Sequence, residues 1–197
     1  MREATVAGLA SGLVATGRAG DGALRREVAL AVELGGAEPD LALVDVAMSS
    51  ESFVGARALW RGSGVSELFV CFANPSAVGF SSVAGLLHPL RRGSGRALHV
   101  RLTDDLSRAE VVLRVPLAPG LLAPVGVAGF HTVELGEAIA AAPAAGCLAL
   151  DGEREIERRP ADRVVVRLVP GPLTVDVDAV MRHAARVKAT RLQPPWA

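Results

Sequence analysis

The sequence predicts a mainly β fold of α+β class, with a β-sandwich-like body and helices near both termini. Three observations predict it. Short apolar segments recur along most of the chain, punctuated by glycine and proline. The pair Asp151-Gly152 sits between two alternating segments in the manner of a type I′ hairpin. Longer helical periodicity is confined to the two ends.

In chain order, residues 5–16 are apolar, diluted by Gly8 and Gly12, and read as a buried strand. A helix is expected next: Asp21 serves as N-cap, Leu24, Val28, Ala31 and Val32 recur at helical spacing, and Gly35-Gly36 stop it. Residues 41–48 form an apolar run broken by Asp45, and residues 53–59 a looser strand candidate. Residues 67–73 are apolar enough to be buried on both faces. A serine at the start and Pro89 just after the end mark a short helix over Ser81–Leu87. Residues 97–102 and 110–115 flank a turn at Asp104-Asp105. The Ala-rich stretch 137–146 reads as a strand end plus loop, and residues 147–150, 154–157 and 163–169 as strands. In the final helix Val177, Val180, Met181 and Ala184 make an apolar stripe. Asp176 and Asp178 lead it, and Arg182, His183, Arg186 and Lys188 follow, which complements the helix dipole. No linker divides the chain, so residues 1–197 read as a single β-rich domain.

Half of the 197 residues are hydrophobic and 21% are charged, with Lys+Arg and Asp+Glu balanced at 21 each. A chain of this length buries roughly 70% of its unfolded surface, enough for its own core. Charge balance, the absence of tyrosine and few aromatics argue against a nucleic-acid surface or an anionic-membrane binder. Cys71 and Cys147 lack CxxC spacing, and His88, His99, His131 and His183 lack metal-ligand spacing. Neither a disulfide framework nor a metal site is expected, and a reduced, cytoplasmic setting fits. Among the histidines, His131 is the one to follow, because it ends the Pro/Gly-rich segment. That segment, residues 115–133, carries no Asp, Glu, Lys or Arg, but three prolines and three glycines break it, so it is not a membrane helix.

Three segments could carry chemistry. The tip Asp151-Gly152 either closes a hairpin or presents a carboxylate to a ligand hydroxyl. The stretch 74–87 runs from a buried strand through a small-residue loop into a short helix. Gly79, Ser81 and Ser82 there could offer backbone and hydroxyl donors to ribose or phosphate oxygens, or serve only as cap and packing residues. The Gly-rich turn 17–24 could cradle phosphate, with Asp21 capping a helix as the plainer role.

Taken in order, these segments resemble the C-terminal domain of the NAD kinase superfamily, nearest the branch grouped with acetoin catabolism protein X. Residues 41–48 resemble its strand with an Asn-Glu pair, Val44 and Asp45 standing in those places. Residues 67–73 and the 75–85 loop resemble its strand and Thr-Gly-Ser-Thr-Ala-Tyr loop, and Leu150-Asp151-Gly152-Glu153 its late Asp-Gly hairpin. The similarity runs over residues 41–192. It implies an all-β domain that helps bind NAD(H). In such kinases a separate α/β domain carries a Gly-Gly-Asp-Gly-Thr motif, and its Asp activates the ribose hydroxyl that attacks ATP, with a divalent metal neutralising charge. By that resemblance Asp45, Gly79, Ser81, Ser82, Asp151 and Gly152 converge on one nucleotide cleft, and the chain assembles as a homo-oligomer. Gly20-Asp21-Gly22 is similar to the donor motif, which makes Asp21 a catalytic candidate, but about twenty residues precede it, too few for a donor half. Residues 1–40 then read as a strand-helix remnant of a missing α/β domain. A second reading stays open: a catalytically inactive interaction or oligomerisation module that retains the fold.

Overall fold

The structure, a computed structural model, describes residues 2–50 and 64–191. Its elements are α1 (Arg2–Ala15), β1 (Leu24–Leu34), β2 (Asp40–Ala42), β3 (Asp45–Ser49), β4 (Val65–Val70), α2 (Ser81–Leu87) and β5 (Arg96–Thr103). There follow β6 (Val111–Ala118), β7 (Leu121–Glu134), β8 (Ala138–Ala140), β9 (Gly146–Leu150), β10 (Arg154–Arg158), β11 (Val164–Val175) and α3 (Val177–Arg186). The fold is mainly β and sandwich-like, as expected. One sheet has the order β2-β1-β11-β8 and the other β10-β9-β3-β4-β5-β7-β6. Contacts group the chain into two compact units, residues 28–171 and residues 1–27 with 172–197.

In the larger unit, the period of two along β3, β4, β5 and β9 sorts side chains onto two faces. Val46, Met48, Phe69, Ala97, Leu148 and Leu150 pack against Leu30, Val32, Ala42, Val166 and Leu168 of the smaller sheet. The opposite face presents Ala47, Leu68, Val70, Leu98 and Ala149, packed with Val83 and Ala84 of α2. Beyond the Thr103–Gly126 pair β7 continues with β6 alone, and Val115, Leu117 and Val125 of this arm join the same core. In the smaller unit, Ala10 and Leu13 of α1 pack with Val180 and Ala184 of α3. Asp176 caps α3, accepting the Ala179 amide at 2.9 Å, and also meets Arg25 at 3.0 Å.

The N-terminal expectation is corrected: the first 40 residues run helix then strand, the reverse of the strand-helix order. In α1 burial follows Ala7, Ala10, Leu13 and Val14, a helical repeat that the interspersed alanines hid as a continuous apolar run. Every residue from Glu27 to Val32 in β1 is buried, so no alternation marks it as a strand, and its Leu, Ala and Glu content imitates a helix. Residues 41–48 split between the two sheets, β2 joining one and β3 the other. The strand β7 occupies the Pro/Gly-rich segment that gave no strand signal. The candidate strand 53–59 lies outside the described residues. The helix Ser81–Leu87 and the double burial of β4 stand as expected. Among the described residues no helix is long and apolar enough to cross a membrane.

Charge is buried between the two sheets. Glu67 is 5% exposed, His99 4% and Arg158 3%. Glu67 Oε2 lies 2.8 Å from His99 Nε2, and its Oε1 accepts the Ala142 amide at 2.9 Å. The Arg158 guanidinium donates to the Ala142 carbonyl at 3.3 Å, and the His99 ring stacks on Phe69 with centroids 4.3 Å apart. Burial alone would push the Glu67 carboxyl up; the His99 and Ala142 hydrogen bonds and the charges of His99 and Arg158 outweigh it and hold the group below its ordinary value. The folded state therefore binds this proton more weakly than the unfolded chain. The resulting stabilisation is present above about pH 4.5 and fades as pH falls below it. Glu67→Gln leaves Arg158 buried without its counter-charge and is expected to cost about 3 kcal/mol at pH 7. Urea unfolding at pH 7 and pH 4 should show the variant's deficit shrinking at the lower pH.

Candidate functional site

Strand register brings several chain crossings to one end of the seven-stranded sheet. Asp45 opens β3 opposite Val70, the last residue of β4, and Val70 pairs in turn with Leu98 near the start of β5. Leu150, the last residue of β9, pairs with Val46. The hairpin tip, the start of β3, the exit of β4 and the entry to β5 thus share this end.

The tip forms as its two residues dictate. Asp151 and Gly152 both take positive φ, 55° and 68°, and the Glu153 amide closes the turn on the Leu150 carbonyl at 3.1 Å. The Asp151 carboxylate does not point out to solvent for a ligand. It accepts the amides of Leu43 at 2.9 Å, Val44 at 2.8 Å and Asp45 at 3.3 Å, and the Asp151 amide returns a bond to the Asp45 carbonyl at 2.9 Å. Those are the amides where the chain passes from β2 to β3. Asp151 and Asp45, distant in sequence, are therefore brought together.

Asp45 is the chemically unusual member. It is half-buried, and among the described residues no donor meets its carboxylate. Burial, and then the adjacent Asp151 charge, push its carboxyl from 3.8 up to about 6. Paired residues share a face, so Asp45 lies on the same side of the sheet as Val70, the side covered by α2.

The serine segment lies on that face, with its polar groups largely engaged locally. Ser82 is fully buried and its hydroxyl donates to the Gly79 carbonyl at 2.6 Å. The Ser82 and Val83 amides bond to Gly79 and Phe80 carbonyls, and the Gly79 amide to Pro116 at 2.9 Å. Ser81 is not the cap; Phe80 holds that position with no side-chain bond. Gly85 is a packing glycine, since a Cβ there would fall 2.4 Å from the Asn74 carbonyl carbon. Asp21 is corrected as a helix cap: it sits exposed in the turn between α1 and β1, and the Gly-rich segment runs from helix into strand, the reverse of a phosphate-cradling strand-to-helix turn. His131 is exposed and meets the edge of His99 at 5.1 Å. Glu67, His99 and Arg158 belong to no motif in the sequence; their one local sign is a lone acid inside the apolar run of β4.

Two outcomes follow. The unfolded Asp45 ionises near 3.8 and the folded one near 6, so rising pH costs stability between those values and the full cost stands above them. Asp45→Asn is expected to stabilise the fold by about 1–2 kcal/mol at pH 8 and to lose the advantage below pH 4, read by denaturant unfolding. Asp151→Ala strands three amides and is expected to cost about 2–3 kcal/mol, with faster hydrogen exchange at Leu43, Val44 and Asp45.

Comparison with known proteins agrees with these boundaries. Residues 28–171, the span of the larger unit, match the family described as acetoin catabolism protein X C-terminal domain. Acetoin catabolism protein X of Cupriavidus necator is 41% identical over 200 residues, covering 98% of this chain and 55% of that protein. The chain thus spans about half the length of the curated relative it matches. With most of its length matched, the chain belongs to the acetoin catabolism protein X C-terminal domain family.

Proposed function

We propose that this chain is a nucleotide-binding, NAD-kinase-like domain that takes NAD(H), working in the cytoplasm as part of a longer or multi-chain enzyme. The observation that carries the reading is Asp45: a half-buried carboxylate with a raised pKa and no donor among the described residues, at a sheet end where several loops meet. Such a group gains most from a ligand hydroxyl, because the donor replaces lost hydration and stabilises the charged form. The ribose hydroxyls of a dinucleotide are donors of that kind. Asp151 acts as a positioning residue, fixing the backbone that carries Asp45.

Phosphorylation of NAD would need a donor half. The 197 residues contain no Gly-Gly-Asp-Gly-Thr, and the matched relative is nearly twice as long as the aligned part. Among the described residues no three His, Cys, Asp or Glu side chains gather, so a divalent ion would arrive with ATP rather than be held by a cluster there. One observation favours the second reading, an inactive interaction module: Asp151 and Ser82 spend their polar atoms on the chain's own backbone. Exposed Val112 and Leu122 on the β6–β7 arm would suit a homo-oligomer contact.

Calorimetric titration of the chain with NAD(H), NADP(H) and ATP decides between them. Saturable NAD(H) binding, weakened about tenfold by Asp45→Asn in a variant that unfolds no more easily than the parent, is expected. Silence toward all three at millimolar concentration would leave the module reading in its place.

A further inference from the structure

The loop from α2 to β5 carries the sequence Arg91-Arg92-Gly93-Ser94-Gly95-Arg96 and borders an open, solvent-facing hollow of about 610 Å³. His88, Arg91, Arg92, Gly93, Ser94 and Arg96 line it. In a chain whose charges balance at 21 each, three guanidinium groups on one hollow are a local concentration of positive potential. Arg96 is committed to Glu134 at 3.0 Å. Among the described residues no acid pairs with Arg91 or Arg92.

The loop is held in place. The Ala73 and Leu90 amides exchange bonds with each other's carbonyls at 3.1 and 3.0 Å, tying the segment after β4 to the segment after α2. The Arg92 guanidinium sits 4.6 Å over the Phe72 ring, which limits the freedom it would otherwise lose on binding an anion. Gly93 and Gly95 have φ of 70° and 75°, and an added Cβ at Gly95 would meet nothing within 4 Å, so the backbone there is open to close approach. Phe72 follows Cys71, whose amide bonds to the Val44 carbonyl at 2.8 Å, so this loop leads back to the end of the sheet that carries Asp45.

We infer that residues 88–96 form a phosphoryl-anion site, with Arg91 and Arg92 as its charged donors. Guanidinium forks match the paired oxygens of a phosphate or pyrophosphate, whereas a lone carboxylate ligand would leave donors unused. Resting on the nucleotide reading above, the site takes the phosphate portion of the ligand whose sugar hydroxyls meet Asp45.

Inorganic pyrophosphate alone is the probe, titrated calorimetrically into the full chain at low and at physiological salt. One-site binding that weakens with salt is expected. R91Q/R92Q should reduce it about tenfold or more, R91K/R92K less, and R163Q/R167Q, which removes the same charge from β11 and its preceding turn, should leave it unchanged. Unchanged melting temperatures would show that each variant keeps its fold. No pyrophosphate binding at millimolar concentration, or equal losses in R91Q/R92Q and R163Q/R167Q, would overturn the site. A short single-stranded oligonucleotide that binds through Arg91 and Arg92 while pyrophosphate does not would also overturn it. Asp45→Asn should weaken NAD(H) but not pyrophosphate. Pyrophosphate binding without NAD(H) binding supports the anion site while the nucleotide reading falls; NAD(H) binding undiminished in R91Q/R92Q does the reverse.

Discussion

Between Ala42 and Asp45 the chain leaves one sheet of the sandwich and enters the other, and at that crossing neither ladder can satisfy its amides. Leaving the amides of Leu43, Val44 and Asp45 unpaired, the last two of them half-buried, would cost a few kcal/mol. The Asp151 carboxylate, presented by a turn that only left-handed residues can make, accepts all three. Arg154, three residues further along, adds a second tie, its guanidinium reaching both the Asp40 carboxylate and the Leu41 carbonyl. A hairpin more than a hundred residues away in sequence therefore sets the angle at which β2 hands over to β3. The position of Asp45, the first residue after the crossing, follows from it.

That dependence explains which parts of the fold could be read in the residues. The Asp-Gly turn, the helix Ser81–Leu87 and the final helix each carry their own local determinants: a pair tolerant of positive φ, a stop at Pro89, acids first and bases last. These elements form where the residues point. β1 has no such determinant, because Glu27 to Val32 are all buried and the strand repeat vanishes when both faces are covered. Nor could the break at Leu43-Val44 be read locally; an apolar run of eight looks like one strand unless the distant carboxylate that divides it is known. Much the same holds for the candidate site. Asp45 and Asp151 could each be singled out, but their joining, and the fact that one is spent on the backbone while the other is not, depend on sheet order.

The two faces of the seven-stranded sheet each hold an acid, and the two are handled in opposite ways. Glu67 lies deep between the two sheets, yet His99, Arg158 and the Ala142 amide surround it and hold its carboxyl in the ionised form. Asp45 is less deeply placed, and its strongest electrostatic neighbour is another carboxylate, so its proton is held more tightly. What separates them is the supply of donors: the first acid is satisfied by the chain, the second is not.

An unsatisfied acid at the end of a sheet is a standing cost, and the chain offers simple ways to remove it. Asparagine at position 45 would keep the backbone bonds and the β3 register while dropping the charge repulsion with Asp151. A module retained only for packing gains nothing from the carboxylate, because the crossing is secured through backbone amides that any residue at position 45 would supply. Retaining an acid there makes physical sense when something outside the chain brings the missing donors. Ser82 and the hairpin tip, already engaged by neighbouring backbone, add shape to the surrounding loops but little unused bonding capacity. The chemistry of the site is therefore concentrated in a single carboxylate that the rest of the larger unit holds in position.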